Sequence, residues 1–132
     1  MPYHKKVLVK STAGRASDLG NRYFRSRMER NYARYLERCV SLHQIDKWEY
    51  EPDTFWFEPI KRGVRSYTPD FKVFKGQSVW YIEVKGYLDM KAKTKQKRMA
   101  KYHPSVRVVL VDMSEYHVIE GCYSQFIPGW EK

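Results

Sequence analysis

The stretch SYTPDFKVFKGQSVWYIEVK, residues 66–85, decides the fold of this chain. Residues 66–74 and 79–85 are rich in aromatic and β-branched side chains, which predicts two strands. Side chains alternate between the two faces of a strand. One face would therefore be apolar, carrying Phe71, Val73, Trp80, Ile82 and Val84. The other would be charged, carrying Thr68, Asp70, Lys72, Tyr81, Glu83 and Lys85.

A two-residue loop joins these strands and sets their register. Gly76 stands at its first central position, which suits a type II′ turn. Counting back from that turn places Asp70 directly opposite Glu83. Two carboxylates about 5 Å apart repel and raise each other's pKa unless a cation lies between them. The hairpin therefore predicts a metal site.

The alternative is a solvated outer face. Asp70 and Glu83 would then be an incidental pair, and Lys85 would be a salt-bridge partner. The buried opposite face, the turn and Lys85 two residues after Glu83 all favour the metal site.

Charge is segregated along the chain, which has 132 residues and a net charge of +10. Residues 1–40 carry ten basic and three acidic side chains, and residues 85–107 carry eight and one. Residues 41–60 and 108–132 are net negative. Basic blocks on both sides of a carboxylate hairpin are typical of proteins that bind a polyanion, most simply nucleic acid.

The remaining pattern predicts an α/β fold with a central mixed sheet flanked by helices. Two helices are expected over residues 21–40 and 90–102, the second capped by Asp89, and a short one over 115–126. Strands are expected over residues 47–51, 54–58 and 106–111. The first helix would bury Phe24, Met28, Tyr32, Tyr35, Leu36 and Cys39, with Arg22, Arg25, Arg30, Arg34 and Arg38 off that stripe. The second would pack through Ala92, Met99 and Ala100.

Length and composition predict one domain over residues 1–132. Residues 1–18 would form an extended, basic, flexible arm with a short strand at residues 7–9. The chain has no apolar run long enough for a transmembrane helix, which predicts a cytoplasmic protein without membrane contact. Cys39 and Cys122 would be reduced, partly buried thiols.

A third carboxylate is expected from the first helix, because two-metal phosphodiester chemistry usually needs more than two acidic ligands. Glu29 flanks the buried stripe and is one candidate. Ser26 and Glu29 also fit a capping box, in which Glu29 would only reach back to the helix start. Both interpretations stay open. Glu37 is expected to be a surface partner of Arg34 or Arg38.

These residues resemble the PD-(D/E)xK nuclease superfamily, through Pro69-Asp70 and Glu83-Val84-Lys85. Within it, residues 22–112 are similar to phage endonuclease I and related phage Holliday-junction resolvases. The further matches are Arg25-Ser26-Arg27-Met28-Glu29 with Tyr35-Leu36-Glu37, Tyr67-Thr68 with Phe71, and Ile82 with Gly86. The resemblance implies a restriction-endonuclease-like core and favours Glu29 as a site residue.

The expected activity is hydrolysis of DNA phosphodiester bonds, with Glu29, Asp70, Glu83 and Lys85 as catalytic residues. Oxygen ligands favour Mg²⁺ or Mn²⁺, and two ions are expected per site. Glu29, Asp70, Glu83 and, as the family implies, the Val84 carbonyl would bind them. No small-molecule cofactor is expected.

Branched double-stranded DNA and a second copy of the chain, in a homodimer, are the expected partners. If the protein is phage-encoded, it would act in the host cytoplasm. Phosphate contacts are expected from Arg25, Arg27, Arg30, Lys91, Lys93, Lys95, Lys97, Arg98 and Lys101. Two alternatives remain: a nuclease acting on linear, flapped or sequence-defined DNA, and a DNA-binding module without catalysis.

Overall fold

The computed structural model describes residues 12–132. The strands are β1 (Gly14–Ala16), β2 (Arg22–Phe24), β3 (Lys47–Tyr50), β4 (Phe55–Trp56), β5 (Ser66–Tyr67), β6 (Phe71–Lys75), β7 (Ser78–Val84) and β8 (Val108–Val111). The helices are α1 (Arg27–Ser41), α2 (Met90–Tyr102) and α3 (Met113–Tyr123), with short 3₁₀ turns at Ser17–Leu19 and Ser124–Phe126. Within these residues, no helix has the length and apolarity needed to cross a membrane.

A four-stranded mixed sheet in the order β3-β6-β7-β8 forms the centre of the fold. The β3–β6 and β6–β7 pairs are antiparallel, and β8 runs parallel to β7. Lys75 pairs with Ser78 and Phe71 with Ile82, so the hairpin register is the one expected. Gly76 has a φ of 59°, as the first central residue of a type II′ turn requires. The predicted α/β core with a mixed sheet is confirmed.

The apolar face of the hairpin lies under α1 and α3. Phe71 and Val73 are fully buried there, and the ring of Tyr32 on α1 packs 5.6 Å from that of Phe71. Tyr116 and Ile119 of α3 complete the same core. Full burial of side chains of this size contributes about 1.5–3 kcal/mol each, so this face holds the sheet in place.

The opposite face is covered in part by the β4–β5 ladder and α2. Phe57, Tyr67 and Met99 form a second, smaller core there. The helix over residues 90–102 is confirmed, and Asp89 caps it by accepting a 2.8 Å hydrogen bond from the Ala92 amide. Ala92 and Met99 are buried as expected, but Ala100 is exposed. This layer leaves the Asp70 end of the hairpin open.

The predicted start of the first helix is wrong. Residues 22–24 form β2, which pairs with β1, and the helix begins only after Ser26. Gly20 and Asn21 have φ angles of 75° and 57° and reverse the chain before β2. Because Ala16 is only 2% exposed, residues 14–19 belong to the packed fold rather than to a flexible arm. The predicted strand at residues 7–9 lies outside the described residues.

Two arginines of α1 are buried, contrary to the prediction. Arg30 and Arg34 are 6% and 7% exposed. Both form 2.7 Å ion pairs with Glu131, and Arg34 also pairs with Asp18 at 2.8 Å. Their partners lie far away in the sequence, so the helical pattern alone could not place them.

Smaller differences concern single contacts and element ends. Glu37 accepts a 2.8 Å hydrogen bond from the Trp48 indole and makes no ion pair with an arginine among the described residues. Cys39 is buried, but Cys122 is exposed. The strands expected over residues 47–51, 54–58 and 106–111 are each shorter, and the last helix starts at Met113, two residues early. The single strand expected over residues 66–74 is interrupted: Ser66–Tyr67 pairs with β4, β6 begins only at Phe71, and Asp70 lies between the two.

Candidate active site

A polar cavity of about 370 Å³ opens at the Asp70 end of the hairpin. Its lining consists of Arg25, Glu29, Glu51, Ser66, Thr68, Asp70, Glu83, Val84, Lys85 and Lys95. All five residues predicted for catalysis or metal binding are therefore brought together. They come from the start of α1, the segment before β6 and the end of β7.

Asp70 is held in place by the strand that faces it. Its side chain is buried, and Oδ2 accepts a 2.8 Å hydrogen bond from the Val84 amide. The antiparallel register would make residue 69 the next hydrogen-bonded partner of Val84. Pro69 has no N–H and so cannot donate to the Val84 carbonyl. The proline thus leaves the Val84 carbonyl without its strand donor, and the Asp70 carboxylate takes the Val84 amide in place of a backbone carbonyl.

Glu83 lies beside Asp70, and its charge disfavours ionisation of the Asp70 carboxyl group. Burial, followed by the charges of Glu83 and Glu29, raises the pKa of Asp70 well above its usual range. Burial also raises the pKa of Glu83, while a 2.8 Å hydrogen bond from the Tyr67 hydroxyl and the charge of Lys85 act the other way. The sheet face therefore holds a pair of acids short of positive charge.

Glu29 combines both interpretations left open by the sequence. Ser26 caps α1 through its Oγ, which accepts a 3.1 Å hydrogen bond from the Glu29 amide. The Glu29 carboxylate reaches back to the Arg25 amide (3.2 Å) rather than to Ser26, and it accepts a 2.6 Å hydrogen bond from the Tyr50 hydroxyl. It also lines the cavity. Burial raises its pKa, although the Tyr50 hydrogen bond opposes this.

Glu51 is a site residue that the sequence analysis missed. It follows β3 with a φ of 48°, and its amide donates a 2.8 Å hydrogen bond to the Asp70 carbonyl. Its carboxylate forms a 2.7 Å ion pair with Arg25. No local sequence pattern identifies Glu51 as a site residue, because it reaches the cavity only through the pairing of β3 with β6.

The predicted DNA contacts divide into three groups. Lys91, Lys93, Lys97 and Lys101 are exposed on α2, and Lys95 lines the cavity itself. Arg25 also lines the cavity, but Arg27 lies elsewhere and donates a 2.8 Å hydrogen bond to the Lys132 carbonyl. Arg30 is buried against Glu131, and Arg98 donates to the Val64 carbonyl. The last two are therefore structural in this fold.

Four carboxylates line the cavity, but Glu29 is held by Tyr50 and Glu51 by Arg25, which leaves Asp70, Glu83 and the Val84 carbonyl as the donors for a metal ion. Across residues 12–132, no group of three or more His, Cys, Asp or Glu side chains is arranged to hold one. The donor set of Asp70, Glu83 and the Val84 carbonyl nevertheless fits a hard divalent cation, because all its atoms are oxygens and burial disfavours the charged form of both acids. Glu29 already accepts two hydrogen bonds through Oε1 and fits a more peripheral position.

The comparisons with known proteins find no relative. No protein-family model, curated protein or solved structure matches this chain. The resemblance to PD-(D/E)xK nucleases thus stays a prediction, based on the motif and its spacing. The acidic cavity and the exposed lysines of α2 are the features that bear on function.

Proposed function

We propose that the protein is a metal-dependent DNA endonuclease of the PD-(D/E)xK kind. One observation supports this most strongly: Asp70 is buried beside the half-buried Glu83, both have raised pKa values, and Lys85 and Lys95 line the same cavity. A structural pair of acids would be expected to have a fixed cationic partner, as buried charges usually do. A site that binds a divalent cation and a phosphate needs more acidic side chains than fixed cationic partners, because the cation supplies the missing positive charge.

Mg²⁺ or Mn²⁺, when bound, would supply a Lewis acid and lower the pKa of the attacking water. Asp70 and Glu83 would hold the ion together with the Val84 carbonyl. Tyr67 fixes the Glu83 carboxylate through its 2.8 Å hydrogen bond, and Glu29, fixed by Tyr50, would orient water at the cavity edge. Lys85 would place its ammonium against the phosphate oxygen that gains charge in the transition state.

DNA would approach along α2. Its exposed lysines form a cationic surface that leads to the cavity through Lys95. Contacts of this type hold the phosphate backbone in position without reading the base sequence. The surface therefore supports an enzyme that selects DNA by shape.

Within this class, a Holliday-junction resolvase is the leading proposal. It rests on the resemblance to phage resolvases and on the lysines of α2, whose phosphate contacts would hold DNA without reading its sequence. Symmetric cleavage of two strands would need a two-fold dimer. The same proposal includes the cytoplasmic location and the second metal ion. Cleavage of linear or flapped DNA by the same site is the alternative.

A synthetic four-way junction, incubated with and without Mg²⁺ and mapped on all four strands, tests the proposal. Symmetric cuts that need Mg²⁺ are expected, with little cutting of a matched linear duplex. Equal cutting of the duplex would favour the alternative nuclease. No cutting with either Mg²⁺ or Mn²⁺ would contradict the enzyme.

Site variants then assign the chemistry. Asp70→Asn should abolish cleavage, and Lys85→Ala should lower it by roughly 10²- to 10³-fold, both with junction binding largely retained. Asp53→Asn is the matched control, because Asp53 pairs with Lys72 at 2.9 Å and does not line the cavity. Full activity of Asp70→Asn would refute the assignment.

A further inference from the structure

A second cavity, of about 490 Å³, adjoins the candidate active site. Ser66 and Lys95 line both cavities, so the two are neighbours. The rest of the second lining includes Trp56, Arg65 and Lys91 and contains no acidic residue. An aromatic and cationic cavity thus lies next to an acidic one.

Trp56 is held by its backbone, and its indole is left open. It pairs with Ser66 in the β4–β5 ladder, and its carbonyl lies 2.8 Å from Nε2 of His103. The flanking Phe55 and Phe57 pack into the smaller core, so alternation directs the Trp56 side chain outward. It is 52% exposed.

The other three tryptophans show what is unusual about this one. Trp48 donates to Glu37, and Trp130 donates to Glu120 and stacks on Tyr116. Trp80 lies under the guanidinium of Arg107. Of the four tryptophans, all within the described residues, only Trp56 has no stacking ring, no cation over its indole and no side-chain hydrogen bond. Its faces are open to a ligand.

The loop that lines this cavity is tied to α2, and two exposed cationic side chains lie beside it. Arg98 on α2 donates to the Val64 carbonyl and so ties the loop before β5 to the helix. Arg65 and Lys91 are exposed, and neither makes an ion pair in the part of the chain that the structure describes. Their charges are therefore available to phosphate groups.

We propose that this cavity binds a nucleotide with an unpaired base, next to the phosphate that is cut. The base would stack on Trp56, and the adjoining phosphates would lie against Arg65 and Lys91. A base inside a duplex has both faces covered by its neighbours, so an indole can stack only on one that is unpaired. The inference rests on the proposed nuclease function and deepens it: the substrate class is DNA with an unpaired nucleotide at the cut, which flapped DNA offers and a fully paired four-way junction does not.

Binding measurements test this without relying on cleavage. The probes are two fluorescein-labelled duplexes with a three-nucleotide single-stranded flap, one carrying thymines in the flap and the other abasic at those positions. Fluorescence anisotropy in Ca²⁺ gives Kd for each. The wild-type protein should bind the thymine flap roughly 5- to 150-fold more tightly than the abasic flap, as expected for stacking of one base.

Variants assign the difference to Trp56. Trp56→Ala should bind the two probes equally, and Trp56→Phe should keep most of the discrimination. Phe126→Ala is the matched control: Phe126 is 53% exposed and lines neither cavity, so this variant should discriminate like the wild type. Arg65→Ala should raise Kd for both probes by the same factor.

The outcomes separate the two proposals. Equal binding of both probes by the wild type, or full discrimination by Trp56→Ala, would overturn the nucleotide site even if the protein cuts DNA. Discrimination that depends on Trp56 would support the site even if no cleavage were seen. Failure to bind either probe would overturn the nucleotide site, while cleavage of the four-way junction would still support the nuclease.

Discussion

Two clusters of charged side chains are attached to α1, and their electrostatics are opposite. The C-terminal cluster, formed by Asp18, Arg30, Arg34 and Glu131, sets two acids against two bases. A hydrogen bond from Arg30 is the main reason that the pKa of Glu131 falls to about 2. The acidic cluster, formed by Glu29, Asp70 and Glu83, has raised pKa values in every member.

The difference separates structural charge from functional charge. In the C-terminal cluster, each acid has a guanidinium within 3 Å, and the last turn of the chain is tied to α1. In the acidic cluster, the nearest bases leave the carboxylates undercompensated, and burial makes the deficit larger. Raised pKa values in a cleft are a recognised mark of functional sites. We therefore assign stability to the first cluster and chemistry to the second.

Removing one charge from each cluster should change stability in opposite directions. Arg34→Ala should lower the free energy of unfolding by about 2–3 kcal/mol, below the range for fully buried pairs because Asp18 and Glu131 keep some contact with water. Arg38→Ala, one turn on and more exposed, is the control and should cost less than about 1 kcal/mol. Urea unfolding at pH 7 measures both.

In the acidic cluster, Asp70→Asn should raise the stability of the metal-free protein, because it removes a charge that burial and two neighbouring acids disfavour. An asparagine side-chain oxygen can still accept the hydrogen bond from the Val84 amide. Loss of stability in EDTA would show that Asp70 is a structural residue instead.

The two clusters should also give opposite pH dependences. The pKa of Glu131 is lowered, so its contribution is present above its ordinary value of 4.5 and is lost as the pH falls toward about 2. The acidic cluster has raised pKa values, so its contribution is present below the ordinary values of 3.8 and 4.5 and is lost as the pH rises through the raised ones.

Metal-free protein should therefore be most stable at mildly acidic pH and become less stable toward neutral pH. Urea midpoints from pH 3 to 8 in EDTA measure this. Glu131→Gln should reduce the fall of the urea midpoint at acidic pH only. Asp70→Asn should reduce its fall toward neutral pH. A midpoint that rises steadily from pH 5 to 8 would contradict the assignment of the acidic cluster.

Both clusters were only partly predictable from the sequence. The turn at Gly76 sets the register of one hairpin, and that local rule was enough to place Asp70 beside Glu83. Asp89 was likewise recognisable as a helix cap. The shared partner of Arg30 and Arg34, Glu131, lies about a hundred residues away, and Glu51 enters the cavity through a strand pairing. Such contacts depend on the packed fold, which periodicity does not encode.

Loss of the hydrogen bond from Tyr50 to Glu29 should lower the metal affinity of the acidic cluster moderately. Tyr50→Phe removes the 2.6 Å hydrogen bond that fixes this carboxylate and should weaken Mn²⁺ binding by about 10-fold, the lower end for an outer ligand-orienting contact. Tyr81→Phe is the matched control, because its hydroxyl donates to Asp53 outside the cavity. Calorimetric titration of each variant measures the affinity. Equal affinities would place Glu29 outside the metal site.

The smallest expected effect concerns the cationic surface next to the acidic cluster. Lys91→Ala should weaken DNA binding for all sequences alike and reduce the slope of log K against log salt by about 1. Lys75→Ala, at the hairpin tip where the lysine donates to the His43 carbonyl, is the control and should leave the slope unchanged. An unchanged slope in Lys91→Ala would remove this lysine from the DNA surface.

Titration of Mn²⁺ into the metal-free protein, followed by calorimetry at pH 7.5, tests most directly whether the acidic cluster is a cation site. The wild type should take up Mn²⁺, because Asp70, Glu83 and the Val84 carbonyl supply the oxygen donors that this ion prefers. Asp70→Asn should lose this uptake, while Asp53→Asn should retain it. No uptake by the wild type, or the same uptake by Asp70→Asn, would contradict the metal site and with it the proposed nuclease.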